Sequence, residues 1–254
     1  MFRGQRDANW TLETTLERRM ENKKIPLDFA EDWLLAEFRR VAGRHLQPHQ
    51  VPQEHLDWIA LMQHYGAPTR LLDCTYSPYV AAYFALEYAA GDAAIWVFGQ
   101  KRLAEAADSV TGDELDIPVP EFGVTSTEYH DLLLDKKPKG VFRIDPYFQT
   151  DRLHIQQGAF LIAGDPTVSF WDNVAQMQGL DVHKAICKVV IPSRARADAL
   201  ADLQRMNINR ATLFPGLEGL AQSMNLRVPG STGQRTDPIW ASALNLMPPF
   251  DKSF

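Results

Sequence analysis

Apolar positions near the amino terminus recur at three-to-four spacing: Leu12 and Leu16 within residues 11–20, then Phe29, Trp33, Leu34, Phe38 and Val41 within residues 27–43. That is the period of amphipathic helices. Gly43 supplies a stop for the second, and Pro48 and Pro52 bracket the link to a third helix holding Trp58, Ile59, Leu61 and Met62. Residues 79–86, Tyr79-Val80-Ala81-Ala82-Tyr83-Phe84-Ala85-Leu86, are apolar on every face and predict a buried helix. Ser77 and Pro78 form its start, Ser as an N-cap acceptor and Pro in the first turn. Trp33, Phe38, Trp58, Tyr83 and Phe84 are expected in the core.

Farther along the period changes. Residues 93–99, 140–144, 159–163 and 185–191 are short apolar runs that predict buried strands, and helical spacing returns at 197–206 and 217–224. Phe2-Arg3-Gly4-Gln5 is short and ends in turn-compatible residues. Residues 104–139 carry Pro118, Pro120, Pro138 and many carboxylates and read as an irregular insertion with one helix near 126–134. The tail reads as loop with an ordered piece around 239–244. The pattern predicts one α+β domain, a helical N-terminal half packed on a split or mixed β-sheet.

Between two apolar helical stretches lies a polar run, Gln63-His64-Tyr65-Gly66-Ala67-Pro68-Thr69-Arg70-Leu71-Leu72-Asp73-Cys74-Thr75-Tyr76-Ser77-Pro78. The buried helix that follows pulls this run toward the core. Polar groups drawn inward need partners, so His64, Thr69, Arg70, Asp73, Thr75 and Ser77 are expected to form a network. For Arg70 and Asp73, an ion pair closing the loop and a ligand contact are both open. His64 reads as a satisfied core histidine ahead of a general base, because no nucleophile or metal partner sits at a recognisable spacing. Arg3, outside any amphipathic helix, reads as a ligand contact.

With 254 residues, 45% of them hydrophobic, the chain can bury a sizeable core. Its net charge of −6 argues against a generally nucleic-acid-binding surface. Cys74 and Cys187 are far apart and suggest neither a disulfide framework nor a zinc site. Asp28, Glu31 and Asp32, like Asp113, Glu114 and Asp116, read as solvated faces and loops, so no metal is expected. No stretch reaches bilayer-spanning length and no signal-peptide order appears, which points to the cytoplasm and no membrane partner. Nucleotide-binding loop, zinc and serine-hydrolase motifs are absent at the required spacings.

Phe2-Arg3-Gly4-Gln5 with Trp10, then Gln63-His64-Tyr65-Gly66, Pro68-Thr69-Arg70-Leu71-Leu72-Asp73, Thr75 and Ser77-Pro78, with Ala82 and Phe84-Ala85 on the helix, resemble the FRG domain, a bacterial and phage-associated family named for its Phe-Arg-Gly signature. Residues 152–160, Ile191-Pro192 and Ala211-Thr212-Leu213-Phe214-Pro215-Gly216-Leu217-Glu218-Gly219-Leu220 are similar to its later blocks. The resemblance implies an FRG domain over residues 1–225 and a C-terminal tail over 226–254. The order of features also resembles, more distantly, the ADP-ribosyltransferase fold, which binds NAD in a cleft between two small sheets.

That second resemblance implies roles. Arg3, Thr75 and Gln157 stand at the three catalytic positions, and Arg3, Gly4, Gln5, His64, Tyr65, Thr69, Arg70, Asp73 and Ser77 surround NAD. An Arg beside a diphosphate gives charge-assisted, often bidentate hydrogen bonds, and Gly beside it lets a ligand approach the backbone. Cleaving the ribose–nicotinamide bond builds positive charge that a carboxylate stabilises. A Gln at 156 or 157 brings none, so the charge must come from Glu114, Glu121, Glu128 or Asp73. Only Met1 and Phe2 precede Arg3, which leaves almost no strand to carry it. The expected function is an NAD-utilising ADP-ribosyltransferase or NAD glycohydrolase-like effector in a toxin or phage-defence context, with its macromolecular target open. The alternatives are a non-catalytic sensor of a nucleotide or dinucleotide ligand and a protein-interaction domain.

Overall fold

Short, largely apolar runs and two more polar ones build a sheet from β1 (Phe2–Gln5), β2 (Leu71–Thr75), β3 (Ala93–Phe98), β4 (Val124–Thr125), β5 (Val141–Asp145), β6 (Gly158–Ala163) and β7 (Ile186–Ile191). The structure, a computed structural model, describes residues 1–115, 124–125, 130–145 and 150–224. The strands form one continuous sheet in the order β4-β5-β6-β2-β1-β3-β7. Neighbours are antiparallel except β4 and β5, which run parallel. The class is therefore α+β as expected, but the sheet is continuous and not split. It is mixed only at its β4 edge.

Phe2-Arg3-Gly4-Gln5, expected as a turn with almost no strand, is a central strand. It pairs with β3 through four residues, Phe2 opposite Val97 to Gln5 opposite Ala94. Its pairing with β2 is confined to Phe2 opposite Thr75, whereas β2 pairs with β6 over its whole length. The part of the polar run over Leu71–Thr75 is likewise a strand, with Leu71, Leu72, Cys74 and Thr75 buried and Asp73 exposed. Its polar composition hid a strand whose polar members face a concavity.

Five α-helices lie between β1 and β4 along the chain: α1 (Thr15–Met20), α2 (Leu27–Ala42), α3 (His55–His64), α4 (Pro78–Leu86) and α5 (Gln100–Leu115). Thr14 and Glu17 close a capping box on α1, and Ser77 caps α4 with Pro78 in its first turn. The helix α5 occupies the start of the segment expected as an irregular insertion. A π-helical turn covers His130–Lys136, and the remainder of the helix expected near 126–134 lies outside the described residues. So does the tail from residue 225 onward.

The helix α2 has the length the spacing predicts but a different inward face. Phe29 and Trp33 are 60% and 57% exposed, while Ala30, Glu31, Leu35 and Ala42 are buried and Phe38 is half-buried. The reason is electrostatic. Arg70 enters the core from the start of β2, and Glu31, read from sequence as solvated, meets it at 2.7 Å between Arg70 Nε and Glu31 Oε2. A buried guanidinium without a carboxylate is far costlier than two exposed aromatic rings. Arg70 therefore pairs with Glu31 and not with Asp73.

The helix α4 packs directly on β1. A Cβ on Gly4 would lie 2.1 Å from the Ala81 carbonyl oxygen and 2.6 Å from the Ala85 nitrogen. Gly4, Ala81 and Ala85 are small because two backbones meet there. Tyr83 and Leu86 on the same helix join Val80, Leu203 and Leu213 in a second apolar cluster, while Tyr79 is exposed.

Candidate functional site

A cavity of about 290 Å³ opens where β1 and β2 part. Phe2, Arg3 and Gly4 of β1 and Asp73, Cys74 and Thr75 of β2 line it from one side. Gln63 and His64 at the end of α3, Phe84 of α4, Phe160 of β6, and Thr150, Arg152 and Gln156 of the short helix α6 (Asp151–Ile155) with its flanks complete it. Its size is at the lower end of small-molecule sites, and its walls combine aromatic rings with a few charged groups.

Arg3 occupies the gap in the sheet. Beyond Phe2 and Thr75 the β1–β2 ladder stops, and Arg3 Nη1 donates to the Asp73 backbone carbonyl at 2.7 Å, taking the place of a ladder bond. The same nitrogen is 3.8 Å from Asp73 Oδ2. Its Nε is buried and has no hydrogen-bond partner among the described residues. The guanidinium is thus anchored at one nitrogen and unsatisfied at another, beside a cavity.

Asp73 is oriented from the opposite side. Gln63 Nε2 donates to Asp73 Oδ2 at 2.7 Å, and Gln63 Oε1 accepts from Thr69 Oγ1 at 2.5 Å. Thr69 Oγ1 in turn accepts from the Leu71 backbone N–H at 3.2 Å. Thr69 and Gln63 fix the rotamer of a carboxylate whose side chain is 57% exposed. Asp73 is the one carboxylate among the lining residues. Of the carboxylates proposed from sequence to supply negative charge it alone is placed here; the side chains of Glu114, Glu121 and Glu128 lie outside the described residues.

His64 sits at the C-terminal end of α3 with its Nδ1 3.3 Å from Thr150 Oγ1. Thr150 Oγ1 also accepts from the Leu153 N–H as the N-cap of α6, so one hydroxyl joins the imidazole to the start of that helix. Burial, with the nearby positive charge of Arg152, lowers the His64 pKa below its ordinary value. The imidazole is neutral and ties α3 to α6. Cys74 is also a wall group and no nucleophile: burial pushes its thiol up to about 12, Asp73 adding to the shift and Arg3 opposing it.

Thr75 lines the cavity, but its hydroxyl donates to the Gln156 carbonyl at 2.7 Å and accepts from the Ser77 N–H at 3.0 Å, so it fastens β2 to the end of α6. Gly4 reaches the cavity wall, yet its missing side chain serves the contact with α4 and not the approach of a ligand to the backbone. The remaining sequence-predicted residues lie off the wall. Gln5 bonds Thr11 and the Trp96 indole, each at 2.8 Å, and Ser77 caps α4. Tyr65 is 68% exposed with its ring edge-on to His64 at 4.9 Å, Thr69 acts through Gln63, and Arg70 belongs to the Glu31 pair. Gln157 is exposed and has φ +47, leaving Gln156 as the glutamine on the wall, where its Nε2 donates to the Leu213 carbonyl at 2.9 Å.

Arg152, Gln63 and the aromatic walls Phe84 and Phe160 were not singled out as site residues from sequence. Arg152 stacks over the Phe214 ring, its Cζ 4.4 Å from the centroid, and burial lowers its pKa while Asp73 opposes the shift. No sequence signal distinguishes it from other helical arginines; only the fold brings it opposite Arg3.

Among the described residues no group of three or more His, Cys, Asp and Glu converges as a metal site, and no helix is long and apolar enough to cross a membrane. Comparison with the curated proteins and with the solved structures gives no match. The family comparison is positive over the segment that contributes β1, α3, β2 and α4: residues 1–93 match the FRG domain.

Proposed function

We propose that the cavity binds a phosphate-bearing nucleotide, NAD being the favoured ligand. The observation that carries this reading is Arg3 at the cavity wall, held by the Asp73 carbonyl with a buried Nε still lacking a partner among the described residues. A guanidinium so placed offers directional donors to a phosphate or a ribose oxygen, and Phe84 and Phe160 provide apolar surface for a base or nicotinamide ring. Asp73 favours a second reading, cleavage of the ribose–nicotinamide bond by an ADP-ribosyltransferase or NAD glycohydrolase-like activity. Its carboxylate is oriented by Gln63 and would stabilise a developing ribosyl cation in place of the missing glutamate. An effector role in toxin action or phage defence belongs to that second reading and rests on the family resemblance.

Release of nicotinamide from NAD by the purified protein separates the two. If Asp73 acts catalytically, Asp73→Asn lowers turnover by about a hundredfold while NAD binding persists. Binding without nicotinamide release leaves the sensor reading, and absence of both removes the nucleotide reading.

A further inference from the structure

We propose that Arg152 is a second anion contact of the cavity, so that the ligand carries at least two phosphate charges held between Arg3 on β1 and Arg152 on α6. The inference rests on the nucleotide reading above and narrows its ligand to a diphosphate-bearing molecule.

Two arginines share the Phe214 ring, and the contrast between them is informative. Arg210 lies 4.2 Å from the centroid and places Nη1 2.8 and 2.9 Å from both oxygens of buried Glu87, which also accepts from the Tyr83 hydroxyl. Its charge is used within the fold. Arg152 lies at 4.4 Å from the same centroid, lines the cavity, and makes no side-chain hydrogen bond or ion pair among the described residues. The ring fixes the guanidinium in place without neutralising it. A half-buried cation kept in position but unpaired is what an anionic ligand requires, because the site is organised before the ligand arrives.

The charge balance agrees. Arg3, Arg152 and Asp73 are the charged lining groups, His64 being held neutral by burial and the nearby charge of Arg152. Two cations against one carboxylate leave the lining net positive, which suits an anionic ligand. The hydroxyl of Thr75 is already engaged with Gln156 and Ser77, so the arginines are the charged donors left for phosphate oxygens.

Calorimetric titration of the full chain with sodium pyrophosphate, NAD and adenosine, repeated on Arg152→Gln and Arg152→Lys, tests this. Thermal unfolding of each variant reports whether it folds. Pyrophosphate and NAD are expected to bind the wild-type protein, and Arg152→Gln to weaken both by about tenfold or more, since a charge-assisted contact is lost. Arg152→Lys, which keeps the charge but not the planar fork, is expected to fall between them and serves alone if Arg152→Gln does not fold. Adenosine affinity should not change. Pyrophosphate binding that depends on Arg152 without NAD binding supports the second anion contact while removing the NAD reading. NAD binding unchanged in the folded variants overturns the contact and leaves that reading standing, and failure of the wild-type protein to bind pyrophosphate overturns the contact.

Discussion

At the scale of single residues, the Phe-Arg-Gly signature divides its work. Phe2 and Arg3 reach the cavity, while Gly4 permits β1 and α4 to touch. Gly4→Ala would drive a methyl group into the Ala81 carbonyl, and backbone cannot rotate away as a flexible side chain can. The expected loss is about 1 to 3 kcal/mol or more in denaturant unfolding, and an unchanged midpoint would contradict the contact. His64 gives a prediction in pH. Its folded pKa lies below the ordinary 6.5 that it regains on unfolding, so the unfolded chain takes up the proton first as pH falls. The stability it contributes is fully present above 6.5 and is lost as pH falls through the folded value. Unfolding followed from pH 8 to about 5 should show this slope, and His64→Gln should flatten it. An identical pH profile in the variant would show that His64 is not held neutral.

Among the elements, α2 and the two strands β1 and β2 explain where a sequence pattern is sufficient. β7, expected as a buried strand, lies at the sheet edge with Val189 and Val190 exposed, while α3, α4, β3, β5 and β6 follow from periodicity because each buries its apolar face as the pattern demands. α2 does not. Its two largest aromatic residues lie outward because Glu31 must reach Arg70, a partner that is thirty-nine residues away and invisible to any local pattern. Strands β1 and β2 were hidden for the opposite reason, since Arg3, Asp73 and Thr75 line a cavity and Gln5 is buried against Thr11 and Trp96, which breaks the alternation expected of a core strand. Within the site, the need of His64, Thr69, Arg70, Asp73, Thr75 and Ser77 for partners was legible, but they do not form one network: Thr69 and Asp73 meet through Gln63, Thr75 meets Ser77, His64 meets Thr150 and Arg70 meets Glu31. Arg152 and Gln63 were not legible, because their importance comes from distant partners. The Glu31–Arg70 pair carries its own test. Removing one partner by Glu31→Gln strands a buried guanidinium and should destabilise the protein by about 3 to 5 kcal/mol. Combining Glu31→Leu with Arg70→Met should recover most of that loss, and equal destabilisation by the double variant would contradict the assignment.

For the molecule as a whole, the sheet is continuous but nearly interrupted at one junction. β1 and β2 meet at a single residue pair, Arg3 bridges the remainder through the Asp73 carbonyl, and the cavity lies against the gap. Helices α3, α4 and α6 close over that gap from three directions, joined by the His64–Thr150 and Thr75–Gln156 contacts. The consequence is a concave site placed at the centre of the sheet, with an arginine fixed in position at its base. Isothermal titration of the wild-type protein and Arg3→Gln with NAD tests that consequence most directly. The account predicts binding by the wild-type protein and a loss of affinity of about tenfold or more in a folded Arg3→Gln variant. Absence of any heat of binding in the wild-type protein, or equal affinity in the variant, would contradict it.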